Sequence, residues 1–383
     1  MTRDTWCSLA WNHICVRPNE LLKPCCRFQF EEGESDIGIS MDGVSNNGVS
    51  ALNNDFMRQL RRDMLNNIER NECRKCYVEE DNKQRSLTRR SLREYQNSVW
   101  TDIKRENCTE DFDHTQFIEM SLDNICNLQC RMCESKFSSK LQLRDKYFNL
   151  PTHKKLEPSF EKLNLDLSDL KKVKLLGGEP FMSPNLEKFL DYIIERADPS
   201  NLWLEVVTNG TNIPNDTVVE KLNRFYKLEL NVSLDSYSTA NDYQRYGSNY
   251  KDIWNNSQQY EKLFTNIDMA FHCVTSVYTA NKLADTLNFL SNENNYHVSL
   301  DLVRHPEWMS LMYAPKSFID WVIDCNAHNP TALSLIKNFV NSSSYSDEHW
   351  QQFYQMTAKY DSYYKTSLED YNPELYKVLK ALE

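Results

Sequence analysis

The sequence predicts an α/β chain built on parallel strands, preceded by a small cysteine-rich segment and followed by a helical one. Three observations carry this expectation. Between residues 117 and 303, six short β-branched runs alternate with longer stretches of helical periodicity, the order of successive βα units. The glycine, cysteine and acidic clusters of that region fall just after the ends of these runs, where α/β barrels keep their chemistry. The 383 residues exceed what a single core serves. The expected division is 1–96 cysteine-rich, 97–116 linker, 117–304 α/β core and 305–383 helical extension.

Bulk composition limits the function classes. Hydrophobic residues make up 40% and charged residues 26%, enough for a packed interior. No uninterrupted apolar run approaches 18 residues, so no membrane span is expected. The start, MTRDTWCSLAWNH, has no apolar core of a secretion signal. A net charge of −11 disfavours non-specific nucleic-acid binding. Twelve cysteines in such a chain point to metal rather than disulfides, and the expected location is the cytoplasm.

Taken from the N-terminus, the first constellation is Cys7, Cys25, Cys73 and Cys76. Four thiolates with a closing C-x2-C complete a tetrahedral set for zinc or for a fully ligated [4Fe–4S] cluster, and spacing does not choose between them. Cys26 is an alternative to Cys25. Residues 31–54 are polar and read as loops. Residues 55–72 read as an amphipathic helix with Phe56, Leu60, Met64, Leu65 and Ile68 on one stripe. Residues 85–96 are basic and helical in pattern, which reads as a solvated face before a bridge between the two domains or a contact for an anionic ligand.

The strands are expected at 117–122, 172–177, 202–208, 228–234, 268–277 and 297–303, with helices at 136–148, 185–197, 215–226, 249–264 and 281–292. After the first strand stand Cys126, Cys130 and Cys133, spaced C-x3-C-x2-C, with Met132 before the last. Three thiolates hold three irons of a cube and leave the fourth open to another ligand, the arrangement of a reactive cluster. After the second come Gly177, Gly178 and Glu179. Paired glycines let backbone approach closely, and the carboxylate suits an ammonium. The third ends in Thr208 and Asn209. The fourth ends with Ser233 and Asp235, which share a face and suit ribose hydroxyls. Arg245 follows, a guanidinium fork fit for a carboxylate. His272, on the fifth strand, reads as a core residue before it reads as a catalyst. Arg304-His305-Pro306 follows the sixth and is placed to line a substrate mouth. In 305–383 the tail is rich in aromatics, from Trp350 to Tyr376, at helical spacing, which reads as packing.

At Cys126–Cys133 the chain resembles the radical S-adenosylmethionine (SAM) superfamily, whose motif is C-x3-C-x-Φ-C, with Met132 as Φ. The resemblance implies a partial (β/α)6 TIM-type barrel. It also implies a [4Fe–4S] cluster whose open iron chelates SAM and, once reduced, cleaves it to methionine and a 5′-deoxyadenosyl radical that abstracts a substrate hydrogen. Gly177-Gly178-Glu179-Pro180 resembles the GGEP motif that holds SAM's amino group. The segment from Asp242 through Arg245 to Gly247 resembles one in peptide-modifying members, where the arginine pairs with SAM's carboxylate. Thr208, Asn209, Ser233, Asp235 and Met132 complete the implied cofactor pocket. The N-terminal cysteines resemble the twitch domain, a shortened SPASM domain with one auxiliary cluster; Trp11, Pro18 and Pro24-Cys25 are similar to its hairpin. Two departures stand out: Asn19-Glu20-Leu21 where a glycine is usual, and a position before the barrel instead of after it. The family implies an electron donor such as flavodoxin or ferredoxin. Its substrates would be a peptide, oxidised or cross-linked with help from the auxiliary cluster, or a small metabolite such as a sugar, aminocyclitol or nucleotide. A non-catalytic iron–sulfur sensor is the reading of a different class. No residue is assigned as catalytic acid or base.

Overall fold

The computed structural model describes residues 3–17, 21–28, 39–40, 53–81, 103–111, 115–153, 160–163, 165–340 and 345–382. Most of the polar stretch 31–54, the basic helix expected over 85–96, parts of the linker (97–102 and 112–114), and Pro18 to Glu20 lie outside them. The chain is α/β, as expected, and forms two compact units: Met1–Ile125 with Lys155–Val206 and Asn215–Leu228, and Cys126–Lys154 with Val207–Pro214 and Glu229–Glu383.

The first unit is built on a sheet. Strand β1 (His13–Val16) pairs antiparallel with β2 (Leu21–Lys23), which pairs antiparallel with β3 (Ile39–Ser40). On its other side β1 runs parallel to β4 (Phe117–Ser121), followed by β5 (Lys172–Leu176) and β6 (Trp203–Thr208), also parallel. The N-terminal cysteine-rich segment therefore extends the sheet of the α/β core, a difference from the sequence division at residue 96. Register places Cys15, Glu119, Lys174 and Glu205 in one row across β1, β4, β5 and β6. Lys172 and Lys174 pair with Glu205 at 2.5 and 2.6 Å, so the sheet carries a largely buried ionic group at Glu205.

Helices of this unit are α1 (Leu9–Asn12), α2 (Asp55–Leu65) and α3 (Arg74–Asp81), with α5 (Leu186–Arg196) and α6 (Asp216–Leu222) later in the chain. Helix α5 buries Leu186, Phe189, Leu190 and Ile193, spaced i, i+3, i+4, i+7, which is why its stripe was legible. Helix α2 stops at Leu65, short of the expected residue 72. Asn66 and Asn67 follow, and Asn67 takes the left-handed conformation (φ 56°) that asparagine tolerates best among side-chain-bearing residues. Ile68, expected on the apolar stripe, is half exposed beyond the helix end.

The second unit contains α4 (Gln142–Tyr147), α7 (Thr239–Gln244), α8 (Tyr250–Leu263), α9 (Leu283–Leu287), α10 (Lys316–Cys325), α11 (Pro330–Val340), α12 (Asp347–Tyr364), α13 (Leu368–Tyr371) and α14 (Pro373–Leu382). Its strands are β7 (Lys227–Ser233, from residue 229), β8 (Ile267–Thr275) and β9 (His297–Leu302), the last two parallel. Asn249 caps α8, accepting from the backbone N–H groups of Lys251 and Asp252. The aromatic tail packs as expected: Trp350, Phe353, Tyr360 and Tyr364 join Tyr243, Tyr278 and Phe318 in one core. Among the described residues, no helix is long and apolar enough to cross a membrane.

Candidate functional site

Strand β4 delivers the chain to Asp123, and the loop that carries Cys126, Cys130 and Cys133 begins beyond it. That loop is laced to the turn after α7: Gln129 N donates to Tyr246 O at 2.9 Å and Arg131 N to Gln244 O at 2.8 Å. Asn209 donates from Nδ2 to Asn127 Oδ1 at 2.9 Å and approaches Cys126 Sγ at 3.8 Å. Burial pushes the Cys133 thiol up to about 12, with Cys126 adding to the rise and Arg144 opposing it. Burial raises Cys130 further; Arg245 opposes, and the two neighbouring thiols reinforce the rise. Three mutually interacting, half-buried thiols with guanidinium groups beside them are a fitting donor set for a metal centre that displaces their protons.

Two arginines outside the predicted ligand and cofactor residues hold this loop. Arg144 donates to Cys130 O at 3.1 Å and Cys133 O at 2.6 Å, and its charge is met by Asp145 at 2.6 Å. Arg131 is fully buried between the cysteines. It donates to Tyr243 O at 2.8 Å and to both Asp361 Oδ1 and Thr366 Oγ1 at 2.9 Å. Its Nη1 finds no hydrogen-bond acceptor, and the guanidinium instead lies 3.8 Å from the Tyr243 ring centroid, with Tyr278, Tyr360 and Tyr364 around it. The signal was present in the sequence as a charged residue inside the motif and an aromatic tail, but nothing local linked the two.

Asp235 and Arg245 meet. Arg245 binds the carboxylate through Nε to Oδ2 at 2.7 Å and Nη2 to Oδ1 at 2.8 Å. Asp235 also accepts from Gln244 Nε2 at 2.5 Å and Val274 N at 3.0 Å. Its two oxygens are thus fully engaged, which differs from the expectation that this carboxylate faces a ribose. Burial pulls Arg245 down, but the Asp235 carboxylate raises it above its ordinary value overall. Ser233, buried at the end of β7, has no such commitment. Thr208 Oγ1 accepts from Gly210 N at 3.1 Å and shapes the turn after β6.

In the first unit, the GGEP turn packs on the residues just before Cys126. Gly178 N donates to Asp123 O at 3.2 Å and Glu179 N to Ile125 O at 2.6 Å. A Cβ at Gly178 would stand 2.0 Å from Ile125 O, and one at Gly177 (φ +121°) 2.8 Å from Asp123 O. The glycines are required here by the chain's own backbone, a different close approach from the ligand contact that the sequence predicts. Glu179 is buried, and its Oε1 accepts from Phe181 N at 3.1 Å.

Two cavities bear on the predicted residues; the first reaches only Met132 and Cys133 of the predicted cluster and cofactor set, the second gathers all four N-terminal cysteines. One of roughly 530 Å3 is lined by Met132, Cys133, Arg144, His305, Trp308 and Lys359, among others. It includes the expected mouth residues His305 and Pro306, and its size suits a small organic ligand. The other, roughly 30 Å3, gathers Cys7, Cys25, Cys73 and Cys76 among Leu9, Phe28, Met64 and Tyr77. Burial raises Cys25 and brings Cys73 to about 12, with Cys7 contributing to both. Cys26 is exposed and does not line this cavity. None of the twelve cysteines is in a disulfide. Among the described residues, no three His, Cys, Asp or Glu side chains close on one point as a single-ion site.

Residues 120–288 match the family model of the radical SAM superfamily. Over 117 residues the chain is 29% identical to an S-adenosylmethionine-dependent nucleotide dehydratase of Flammeovirga pacifica, a match covering 30% of this chain and 37% of that protein. Similar solved structures include native anSMEcpe with bound AdoMet, at 14% identity and a TM-score of 0.42 over 60% of this chain and 63% of that one. Streptococcus suis SuiB bound to S-adenosylmethionine aligns at 14% identity and a TM-score of 0.35, over 71% and 62%. The chain spans less than two thirds of each of these proteins. A cysteine triad of this spacing after β4, on an α/β fold, defines the class. Residues 120–288 thus carry a radical SAM domain, and such a domain implies a [4Fe–4S] cluster and SAM.

Proposed function

We propose that the chain reductively cleaves SAM at a cluster held by Cys126, Cys130 and Cys133 and abstracts hydrogen from a peptide, leading to oxidation or a cross-link. The observation that carries this reading is the set of three interacting, half-buried thiols on one loop, tied by hydrogen bonds to the segment that bears Arg245. When bound, the cluster and SAM together supply the electron and the carbon radical; the protein supplies orientation and exclusion of water.

Arg245 offers its remaining N–H donors to SAM's carboxylate, and Asp235 acts as its positioning residue. Glu179 receives the ammonium at the GGEP turn. Ser233 meets the ribose, Met132 presents an apolar surface to the adenine, and Thr208 and Asn209 shape the adjoining turn. Cys7, Cys25, Cys73 and Cys76 hold a second metal group, for which we favour an auxiliary [4Fe–4S] cluster over zinc. Such a cluster would accept an electron from the substrate, which supports net oxidation. An acidic flavodoxin or a ferredoxin would supply the first electron, and the reducing cytoplasm would protect the thiols.

A second reading, in which the substrate is a nucleotide, is supported by the named activity of the Flammeovirga relative. Anaerobic reconstitution followed by iron, sulfide and 5′-deoxyadenosine assays tests the proposal. About eight irons per chain, with 5′-deoxyadenosine formed on adding dithionite and SAM, is the expected result. Iron bound without 5′-deoxyadenosine would overturn it, and four irons plus one zinc would change the second group alone. Mass spectrometry of peptide and nucleotide pools after turnover separates the two substrate classes.

A further inference from the structure

We propose that the face formed by α4 and the turns on either side of it is the docking surface for an acidic, one-electron carrier protein. This rests on the reductive activity proposed above, since a cluster that must be reduced needs an electron delivered from outside.

Among the exposed large apolar side chains, Leu143 (75% exposed), Tyr147 (64%) and Leu150 (41%) fall within eight residues of one another. Exposed apolar groups gathered this way mark an interaction surface more often than chance does. The cations of the same stretch are Lys136, Lys140, Arg144 and Lys146, and its acids are Glu134 and Asp145. Both acids are already paired, Glu134 with Lys136 at 2.7 Å and Asp145 with Arg144 at 2.6 Å. Lys140 and Lys146 therefore leave a local positive excess on a chain whose net charge is −11. A positive patch around an apolar centre complements an acidic partner and steers its approach.

The position of the patch joins it to the thiols. Leu143 points outward, and the next residue, Arg144, points inward and hydrogen-bonds the carbonyls of both Cys130 and Cys133. A carrier seated on Leu143 and Tyr147 would thus face two of the three proposed cluster ligands across a single buried side chain.

The test uses the reconstituted full chain and a reduced acidic flavodoxin as probe. The double variant Leu143→Glu/Lys146→Glu places negative charge on the patch and leaves the thiols, Arg144 and the GGEP turn intact. Bleaching of the cluster's visible absorption is followed by anaerobic stopped flow. The expected result is at least a tenfold slower reduction by flavodoxin, a weaker dependence of that rate on salt, and an unchanged rate with dithionite. Equal flavodoxin rates for variant and parent, an equal slowing with dithionite, or a parent chain that flavodoxin does not reduce would each overturn the assignment. Failure of the underlying activity is separately visible, because the parent would then form no 5′-deoxyadenosine even with dithionite.

Discussion

Arg245 grips Asp235 with two parallel hydrogen bonds, Nε to Oδ2 at 2.7 Å and Nη2 to Oδ1 at 2.8 Å, where the carboxylate is wholly buried. The pair fixes the guanidinium plane beside Cys130. Replacing Asp235 with asparagine leaves a buried cation without its counter-charge, and breaking such a pair costs about 3–5 kcal/mol. Urea denaturation of Asp235→Asn is expected to show that loss, and a midpoint equal to the parent's would mean that the pair does not hold the segment.

Gly178 has no room for a side chain, because Ile125 O occupies the place of its Cβ at 2.0 Å. Gly178→Ala must move backbone, at a cost of about 3 kcal/mol or more. The expected outcome is a marked fall in soluble yield and thermal midpoint. A variant with parental stability would show that the turn does not pack on residues 123–125.

Cys25 faces the cavity shared with Cys7, Cys73 and Cys76, whereas Cys26 is under the influence of Glu119 and Arg17. Metal analysis should therefore separate two adjacent residues. Cys25→Ser is expected to lose the N-terminal metal group while keeping the iron of the Cys126 loop, and Cys26→Ser is expected to keep both. Loss with Cys26→Ser alone would reverse the assignment.

Glu205 gives a pH signature. Burial alone would raise its carboxyl, but the ammonium groups of Lys174 and Lys172 outweigh it and hold the value at about 2, below the ordinary 4.5. Because the folded value lies below the unfolded one, the stabilisation is complete above about pH 4.5 and is lost as pH falls toward 2. It amounts to about 3 kcal/mol. Glu205→Gln should be less stable at neutral pH and should flatten the acid limb of the stability curve between those values. An unchanged acid limb would assign the acid sensitivity to other carboxylates.

The six strands of the α/β core were legible because each is a short β-branched run whose pattern is local. The run expected at 172–177 forms Lys172–Leu176, and that at 297–303 forms His297–Leu302. The thiol constellations were equally legible, since ligand spacing is a property of the chain itself. Strand β1 was missed: four residues, His13–Val16, all buried, offer no alternation to read. The overlong helix at 55–72 shows the opposite error, in which an apolar stripe was extended past an Asn-Asn stop.

By itself, the sequence determined the order of strands and helices, the two sets of cysteines and the motif of the radical SAM domain matched over residues 120–288. Only the tertiary structure decided that Asp235 is closed by Arg245, that Cys25 and not Cys26 joins the N-terminal thiols, and that the glycines of the GGEP turn serve backbone packing. It also decided that Arg131 is held by Asp361, 230 residues away. The reason is physical. Strand patterns and ligand spacings are set by neighbouring residues, whereas the partner of a buried charge is set by whichever group the fold brings to it, and a charge that deep must find one.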